Sequence, residues 1–452
     1  MHMIKVAHLS DTHIGYEAYK TVSASGENQR AVDFAKAFIT AVDAIILSDP
    51  ELVIHSGDVA DRTQIPIRLM LLIRQQFARL ASIRPDGTRR QLVVVAGNHE
   101  IPRNRKEACF LELFKGLPGV HIVSKDYTKI DFESNGTSSG ASKNLLNVVV
   151  HALPHEALKS TDFSIVLPTP GKINILSSHG VAGGSELYVR SLGREFAIPT
   201  DVLVRGWDYG ALGHWHKQGP VNIVATGGKR SKKKSTKEIT LANVERDEDG
   251  FTPGLDYLDP NEEGQVGRIW YAGSTENSGF GDLRDNGTKR GWLLVTVEKG
   301  ELPVVERKWV NIRAMFRLPA ISCTDKTPDE ITDLMLKQLK ESNPTGAVVG
   351  QIVTDVTPQL WSLVDLPKVR KAASQALSYE VQTRYQGLTS APASAVEQFS
   401  NLDATFESRA KELFSAAEQA GAILTAKNIL TQLLERKSNT STLEFSKEGN
   451  ND

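Results

Sequence analysis

Cysteine, long apolar runs and net charge are all scarce in this chain of 452 residues. Its two cysteines, Cys109 and Cys323, lie far apart in the sequence, which excludes a disulfide framework and a thiolate zinc site and favours thiols packed in a core. No apolar stretch reaches the roughly 18 residues of a membrane span, and no basic start with an apolar run and a cleavage site marks a secretion signal. We therefore expect a cytoplasmic protein without a membrane segment.

Basic and acidic residues nearly cancel, 53 against 54. The whole molecule therefore has no electrostatic field that would steer it to nucleic acid, and any binding to DNA must come from a local basic patch. The length predicts two or three structural units, and a hydrophobic content of 40% is enough for at least one large core.

Apolar segments alternate with amphipathic ones in the first hundred residues, and polar side chains follow each apolar segment. The apolar runs cover residues 4–9, 52–58 and 91–95, and residue spacings of three and four predict helices over 29–47 and 66–81. This order predicts a parallel sheet flanked by helices. Ligands bind at the carboxyl edge of such sheets, where these polar side chains would meet.

Two later strands end in the same way. Residues 172–178 lead into His179-Gly180, after a strand over 145–153, and a further strand ends in Gly213-His214-Trp215-His216. On an extended strand or a tight loop, positions i and i+2 face the same side, so His214 and His216 can reach one cluster.

Seven side chains with oxygen or nitrogen donors thus follow strands. They are Asp11, His13, Asp58, Asn98, His179, His214 and His216. This is more than one tetrahedral zinc needs and suits two cations that share a bridging carboxylate. Hard and borderline ligands without thiolate favour manganese, with magnesium, iron or zinc less suited. The histidines outside the pattern are interpreted as core or surface imidazoles. These are His8, His55, His121, His151 and His155.

The motifs, in their order along the chain, resemble the five motifs of the calcineurin-like metallophosphoesterases. They are Asp11-x-His13, Gly57-Asp58, Gly97-Asn98-His99-Glu100, His179-Gly180 and Gly213-His214-x-His216. More narrowly, residues 11–16, 211–216 and 271–274 resemble the DNA double-strand-break repair nucleases, of which the bacterial SbcD type is one branch. The resemblance covers residues 3–310 well and the following domain by architecture. It implies an α/β (α+β) fold, a two-sheet sandwich flanked by helices.

The resemblance also implies a role for each site residue. One cation would be held by Asp11, His13, Asp58 and His216, and the other by Asp58, Asn98, His179 and His214, so that Asp58 bridges. His99 would not be a ligand but a catalytic residue that faces the scissile phosphate, where an imidazolium stabilises the transition state or protonates the leaving oxygen.

Asp61 departs from one branch of the resembled family. The archaeal and eukaryotic branch carries a second active-site histidine at this place, and an aspartate is more like the bacterial branch. Two interpretations stay open: a surface acid, or a partner of His99 beneath the metal centre.

The chain divides into five predicted parts. They are a phosphoesterase nuclease domain over 1–308 with a charged insertion at 227–266, a smaller β-α-β-α-β capping domain over 309–386, a linker over 387–402, a helical hairpin over 403–437 and a disordered tail over 438–452. In the capping domain, a strand is predicted over 310–318, and Thr327-Pro328-Asp329-Glu330 predicts the start of a helix.

The insertion begins with a basic cluster a few residues after His216. Its members are Lys229, Arg230, Lys232, Lys233 and Lys234. They could contact the backbone of DNA beside the metals. Alternatively, they pair with the acidic residues of 245–263 in a solvated loop.

Two short amphipathic helices are predicted within 403–437, and they cannot bury their apolar faces alone. The resemblance implies that they bind an SbcC-type coiled-coil ATPase; the alternative is a hairpin folded back on its own domain.

The most economical hypothesis is a manganese-dependent DNA nuclease. The family resemblance implies 3′ to 5′ exonuclease activity on duplex ends, endonuclease activity on single strands and hairpins, and a homodimer. Two alternatives remain open: a phosphoesterase acting on small phosphodiesters or phosphoproteins, and a DNA-tethering scaffold without chemistry.

Overall fold

The computed structural model describes residues 3–102, 107–132, 146–183, 196–221, 267–285 and 289–386. The charged insertion with its five basic residues, the linker, the C-terminal helical hairpin and the tail therefore lie outside the described residues.

The described residues contain six α-helices and eighteen strands. They are β1 (Met3–Leu9), β2 (Leu52–His55), β3 (Gln91–Val95), β4 (Val120–Val123), β5 (Thr128–Phe132), β6 (Val148–Leu153), β7 (Ile173–His179), β8 (Val181–Ala182), β9 (Ala197–Ile198), β10 (Tyr209–Gly213), β11 (Gly219–Pro220), β12 (Ile269–Tyr271), β13 (Arg290–Glu298), β14 (Val304–Val310), β15 (Met315–Arg317), β16 (Ile321–Ser322), β17 (Val348–Val356) and β18 (Ser378–Tyr385). The α-helices are α1 (Gln29–Ser48), α2 (Ile67–Leu80), α3 (Thr200–Leu203), α4 (Pro328–Ser342), α5 (Pro358–Leu363) and α6 (Leu366–Ala372).

Two six-stranded sheets form the body of the fold. The first has the order β14-β13-β1-β2-β3-β4, and the second β11-β12-β10-β7-β6-β5. The central strands β1 to β4 are mutually parallel, as are β6, β7, β10 and β12. The carboxyl ends of each parallel set therefore lie at one edge of its sheet, which is where the predicted donors follow.

The apolar side chains of β1 show how the two sheets form a sandwich. Ile4 and Val6 belong to a core that also contains Val150 and Ile175 of the second sheet, whereas Leu9 packs in a second core with Phe38 of α1. The alternation follows from the two-residue period of a strand. A third core covers the other face of the second sheet, so the predicted two-sheet sandwich flanked by helices is confirmed.

The helix that follows β1 begins and ends close to the predicted positions. At its start the Asn28 side chain accepts a hydrogen bond from the backbone N–H of Arg30, and at its end Asp49 takes a left-handed conformation (φ 46°). Phe34, Phe38 and Ala41 lie on its buried face, as a helical period requires. This helix fixes the entry of β2 beside β1.

A smaller sheet follows the sandwich. Strands β15 and β16 pair in parallel with the same strand, β17, which also pairs with β18. The predicted capping box at the start of α4 is present, because the Thr327 hydroxyl and the Glu330 carboxylate each bond the other residue's backbone N–H.

The prediction of one strand over 310–318 is wrong. Val310 ends β14 in the first sheet, and the next strand, β15, begins only at Met315. Between them the backbone N–H of Arg313 donates to the Glu276 carboxylate, and its guanidinium bonds Asp33. The Glu276 carboxylate thus takes a backbone N–H that a continuous strand would have bonded within a sheet, and the Asp33 carboxylate holds the Arg313 side chain.

Within the described residues, none of the helices has both the length and the apolar composition needed to cross a membrane.

Candidate metal centre

The loops after the first two strands are tied to each other by backbone hydrogen bonds. The N–H of Asp11 donates to the carbonyl of Gly57 (2.9 Å) and that of His13 to the carbonyl of Asp58 (3.0 Å). These bonds hold the two motifs side by side at the edge of the sandwich. Gly57 also lets His179 of β7 come close to the second loop, because a Cβ at Gly57 would lie 2.2 Å from Nδ1 of His179.

The first cluster contains Asp11, His13 and His216, whose donor atoms all lie within 4.8 Å of one another. The Nε2 atoms of His13 and His216 are 3.1 Å apart. Two ring nitrogens at this distance repel each other through their lone pairs unless a proton or a cation lies between them. The backbone N–H of His214 and the Ser10 hydroxyl orient the Asp11 carboxylate.

The second cluster contains Asp58, His179 and His214, together with Asn98. The amide oxygen of Asn98 lies 3.0 Å from Nε2 of His179 and 3.1 Å from Nδ1 of His214. The carbonyl of Ser56 fixes the His179 ring by accepting from its Nδ1 at 2.8 Å. This leaves Nε2 of His179 as the donor atom that faces the cluster.

Asp58 lies between the two clusters. Its Oδ2 atom is 3.3 Å from Nε2 of His179 in one cluster and 3.8 Å from Nε2 of His13 in the other. The structure thus brings together all seven predicted donors, with the predicted bridging carboxylate in the middle.

The protonation states suit cation binding. Burial lowers the pKa of His13 and of His214 to about 3, so both rings are neutral. Burial would also lower the pKa of His179, but the facing Asp58 carboxylate raises it to about 9. A cation between this histidine and Asp58 would displace that proton, so its affinity falls as the pH falls. Oxygen and imidazole donors in this mixture fit two divalent cations.

His99 is the most accessible imidazole of the site. Its side chain is 37% exposed, with Nε2 4.0 Å from Oδ2 of Asp58. Its Nδ1 donates to the backbone carbonyl of Asp61 at 2.6 Å. The ring is therefore oriented with Nε2 towards the clusters and one edge open to an incoming group.

The structure bears on the two interpretations of Asp61. Its carboxylate is 3.9 Å from Nδ1 of His99 and 3.7 Å from Nδ1 of His13, and Arg62 lies 3.7 Å away on its other side. Contact with His99 is therefore made by the backbone carbonyl at hydrogen-bond distance and by the side chain through its charge alone.

Glu100 joins the loops after β2 and β3 from beneath the site. Its buried carboxylate accepts the backbone N–H groups of Asp58 (3.1 Å), Ala60 (2.8 Å) and Gly97 (2.8 Å). Burial, and next the charge of Asp58, raise the pKa of Glu100 to about 7. The sequence motif contained this residue, but gave it no role.

Two further residues were missed as parts of the site. Asp282 faces Nδ1 of His216 with both carboxylate oxygens at 3.3 Å. His155 lies against the ring of His214 and bonds the carbonyl of His179 at 3.1 Å. His155 follows β6, so its position after a strand was a usable signal, whereas Asp282 follows no strand and offered none.

The interpretation as core or surface imidazoles agrees with the structure for four of the five histidines outside the pattern, with His155 as the exception, and each of the five rings makes at least one hydrogen bond. Their partners are Tyr209 and Ser56 for His8, Thr12 for His55, Gln91 for His121, Tyr127 and Asn174 for His151, and the carbonyl of His179 for His155.

Comparison with known proteins agrees with this geometry. Residues 4–218 match the calcineurin-like phosphoesterase family. The DNA double-strand break repair protein Mre11 of Methanocaldococcus jannaschii is 29% identical over 126 residues, 28% of this chain and 31% of that protein. Mre11 of Sulfolobus acidocaldarius is 24% identical over 277 residues, 58% of this chain and 65% of the relative. Mre11 of Halobacterium salinarum is 31% identical over 116 residues, 25% of this chain and 26% of the relative.

The matches thus span between about a quarter and two thirds of the length of these relatives. The family match includes all the segments that carry the donor clusters, because it runs from β1 to just beyond His216. Residues 4–218 therefore form a calcineurin-like metallophosphoesterase domain, and the chain that carries it is a relative of the Mre11 DNA double-strand break repair proteins.

Proposed function

We propose that this protein is a dimetal DNA nuclease that hydrolyses phosphodiesters. The observation that carries the proposal is the arrangement of six oxygen and nitrogen donor residues around a seventh, Asp58, with the accessible ring of His99 beside them. Asp11, His13, Asp58 and His216 would hold one cation. Asp58, Asn98, His179 and His214 would hold the other.

When bound, the two cations supply charge neutralisation at the phosphate oxygens and activation of water. Manganese is the cation that this set of donors suits best, with magnesium, iron and zinc as alternatives. The chain itself supplies position: Asp58 fixes the separation of the two clusters, and the backbone carbonyl of Asp61 holds Nε2 of His99 towards the reacting group. His99 then donates a proton or hydrogen bond to the scissile phosphate.

DNA is the substrate that the relatives favour, since their names describe DNA double-strand break repair. The four-stranded domain after β14 acts as a cap that holds DNA over the metals, and the basic cluster from Lys229 to Lys234 adds backbone contacts. Cleavage proceeds 3′ to 5′ from duplex ends and within single strands or hairpins. The helical hairpin at 403–437 binds an SbcC-type ATPase, and the protein works as a homodimer.

The substrate is tested with the purified chain and manganese, given labelled hairpin DNA beside a cyclic nucleotide and a phosphopeptide. Cleavage of the DNA and little turnover of the other two is expected. Brisk turnover of the small substrates without DNA cleavage would instead establish the alternative phosphoesterase, and no cleavage of any substrate would leave the tethering scaffold.

The role of His99 is tested with the substitution His99→Gln. Loss of one positioned acid lowers the cleavage rate by about 10²- to 10⁴-fold, while two manganese ions still bind. Asp201→Asn, which removes an exposed carboxylate paired with Arg205, is the matched control and cleaves normally. A His99→Gln protein that cleaves as fast as this control contradicts the assignment.

The partners are tested by two further measurements. Deletion of 403–437 should abolish co-purification with an SbcC-type ATPase while DNA cleavage by the chain alone persists; retained co-purification would place the binding surface elsewhere. Light scattering should give twice the mass of the chain, and a monomer at micromolar concentration would contradict the homodimer.

A further inference from the structure

The ring of His216 contacts two different groups with its two nitrogens. Nε2 faces Nε2 of His13 in the first donor cluster, and Nδ1 faces the carboxylate of Asp282 at 3.3 Å to each oxygen. With Nδ1 donating its hydrogen to the carboxylate, the lone pair of Nε2 points into the cluster. A carboxylate behind a ligand histidine fixes the tautomer and ring orientation and raises the basicity of the binding nitrogen.

Asp282 is itself held in place. The backbone N–H of Ser278 donates to its Oδ2 at 2.7 Å, and the Ser278 hydroxyl donates to the same atom at 2.8 Å. The guanidinium of Arg290 bonds the backbone carbonyls of both Asp282 and His216. The two backbones are therefore joined by one rigid planar group, so the distance between the carboxylate and the ring is set by the fold.

The segment that carries Asp282 also contacts the smaller sheet. Asp282 lies in the 3-10 helix Phe280–Asp285, and the guanidinium carbon of Arg317, on β15, lies 5.1 Å from the centre of the Phe280 ring. On β17, a Cβ at Gly350 would come within 2.9 Å of the same ring, so the backbone of that strand lies directly against it. The support of the metal ligand is thus packed on the predicted capping domain.

We propose that Asp282 is a positioning residue for the cation held by Asp11, His13 and His216, and that Phe280 fixes it to the smaller sheet. This inference rests on the proposed dimetal function. Neither residue touches the cation: Asp282 acts through the ring of His216, and Phe280 acts through the helix that carries Asp282. A shift of the smaller sheet would therefore change the affinity of one cation of the two.

The experiment measures manganese binding to the full chain by titration, with free Mn²⁺ followed by electron paramagnetic resonance. The wild type should bind two ions. Asp282→Asn keeps the shape of the side chain but removes its charge, and it should lower the affinity for one of the two ions by about 10-fold. Asp282→Ala should lower the same affinity by up to about 100-fold. The other ion should keep its affinity, as it should in His216→Ala, which removes one direct ligand of the first ion.

Controls separate positioning from general destabilisation. Asp201→Asn should bind both ions like the wild type. Ser278→Ala leaves the Asp282 charge in place but removes the hydroxyl that donates to it and lies 3.5 Å from Nδ1 of His216. It should lower the affinity for the same ion by a smaller factor. A merely structural role for Asp282 would lower the unfolding midpoint without selecting one ion.

Two results would overturn the proposal, and each is distinct from failure of the proposed function. Two ions bound with wild-type affinity by Asp282→Ala would show that the carboxylate does not position His216. In Phe280→Ala the affinity for the same manganese ion should fall several-fold. Wild-type affinity in this variant would refute the link to the smaller sheet. If instead the wild type bound no manganese, the dimetal centre itself would be refuted.

Discussion

Glu100 should be the residue whose loss most damages the metal centre without removing a ligand. It accepts three backbone N–H groups, from Asp58, Ala60 and Gly97, and these belong to the loops after β2 and β3. The side chain is fully buried, so water cannot take over the three donors when the carboxylate is removed. Its loss therefore affects both loops at once.

The magnitude follows from counting the groups left without a partner. Each buried N–H that loses its acceptor costs about 1–3 kcal/mol, and removal of the buried carboxylate returns part of this because its own desolvation is relieved. For Glu100→Ala we expect a net loss of about 3–5 kcal/mol in the free energy of unfolding. Glu100→Gln keeps one acceptor oxygen but turns an NH₂ group towards a donor, and should cost about 2–3 kcal/mol.

The assay is urea unfolding of both variants with and without manganese, beside a Mn²⁺ titration. Manganese affinity should fall at least 10-fold, because the Asp58 loop loses its support. Glu341→Gln, an exposed acid on α4, is the matched control and should stay within about 0.5 kcal/mol of the wild type. If Glu100→Ala unfolds within the same margin, the three hydrogen bonds do not support the site and the reasoning is refuted.

Two other predictions test the packing and the titration of the fold. In Gly97→Ala a Cβ would lie 2.2 Å from Oδ1 of Asp58, so the free energy of unfolding should fall by about 2 kcal/mol or more, and the manganese affinity measured by titration should fall with it. Gly219→Ala is the control: its Cβ would meet open space, so neither quantity should change. Equal behaviour of the two variants would contradict the close approach of Gly97 to Asp58. Burial lowers the pKa of His151 from 6.5 to about 4, so the folded protein favours the neutral ring. The contribution of this ring to the free energy of unfolding is complete above pH 6.5. It is lost as the pH falls from 6.5 towards 4, by up to about 3 kcal/mol. Urea unfolding at pH 7, 6 and 5 should show a shallower decline for His151→Gln than for the wild type, and parallel declines would refute the assignment.

The donor residues could be predicted from the sequence because their positions follow from one rule of sheet geometry. Asp11, Asp58 and Asn98 each come just after an apolar strand, and parallel strands place such positions at a common edge. His214 and His216 follow a strand of the second sheet, and their two-residue spacing predicted that both rings reach the same cluster. The rule needs only local patterns, and the sandwich then brings the two edges together.

The supporting contacts could not be predicted, because they depend on distances that no local pattern contains. Asp282 lies 66 positions from His216 in the chain and follows no strand. The bonds from Arg313 to Asp33 and Glu276 likewise join parts that are remote in sequence, which is why the strand predicted over 310–318 was wrong. An apolar pattern indicates a strand but does not reveal a polar side chain that takes over its backbone bonds.

The ligand loops store backbone strain, and this links the stability of the fold to the affinity of the site. Asp11 (φ 50°), His13 (φ 40°), Asp58 (φ 52°) and His214 (φ 100°) all adopt positive φ values that side chains disfavour. Such conformations persist only where surrounding bonds fix them, and here those bonds run between the loops and to Glu100. Relaxation of a loop would recover part of the strain energy while moving its donor away from the cluster. Loss of one supporting bond should therefore lower the affinity for the cations together with the free energy of unfolding.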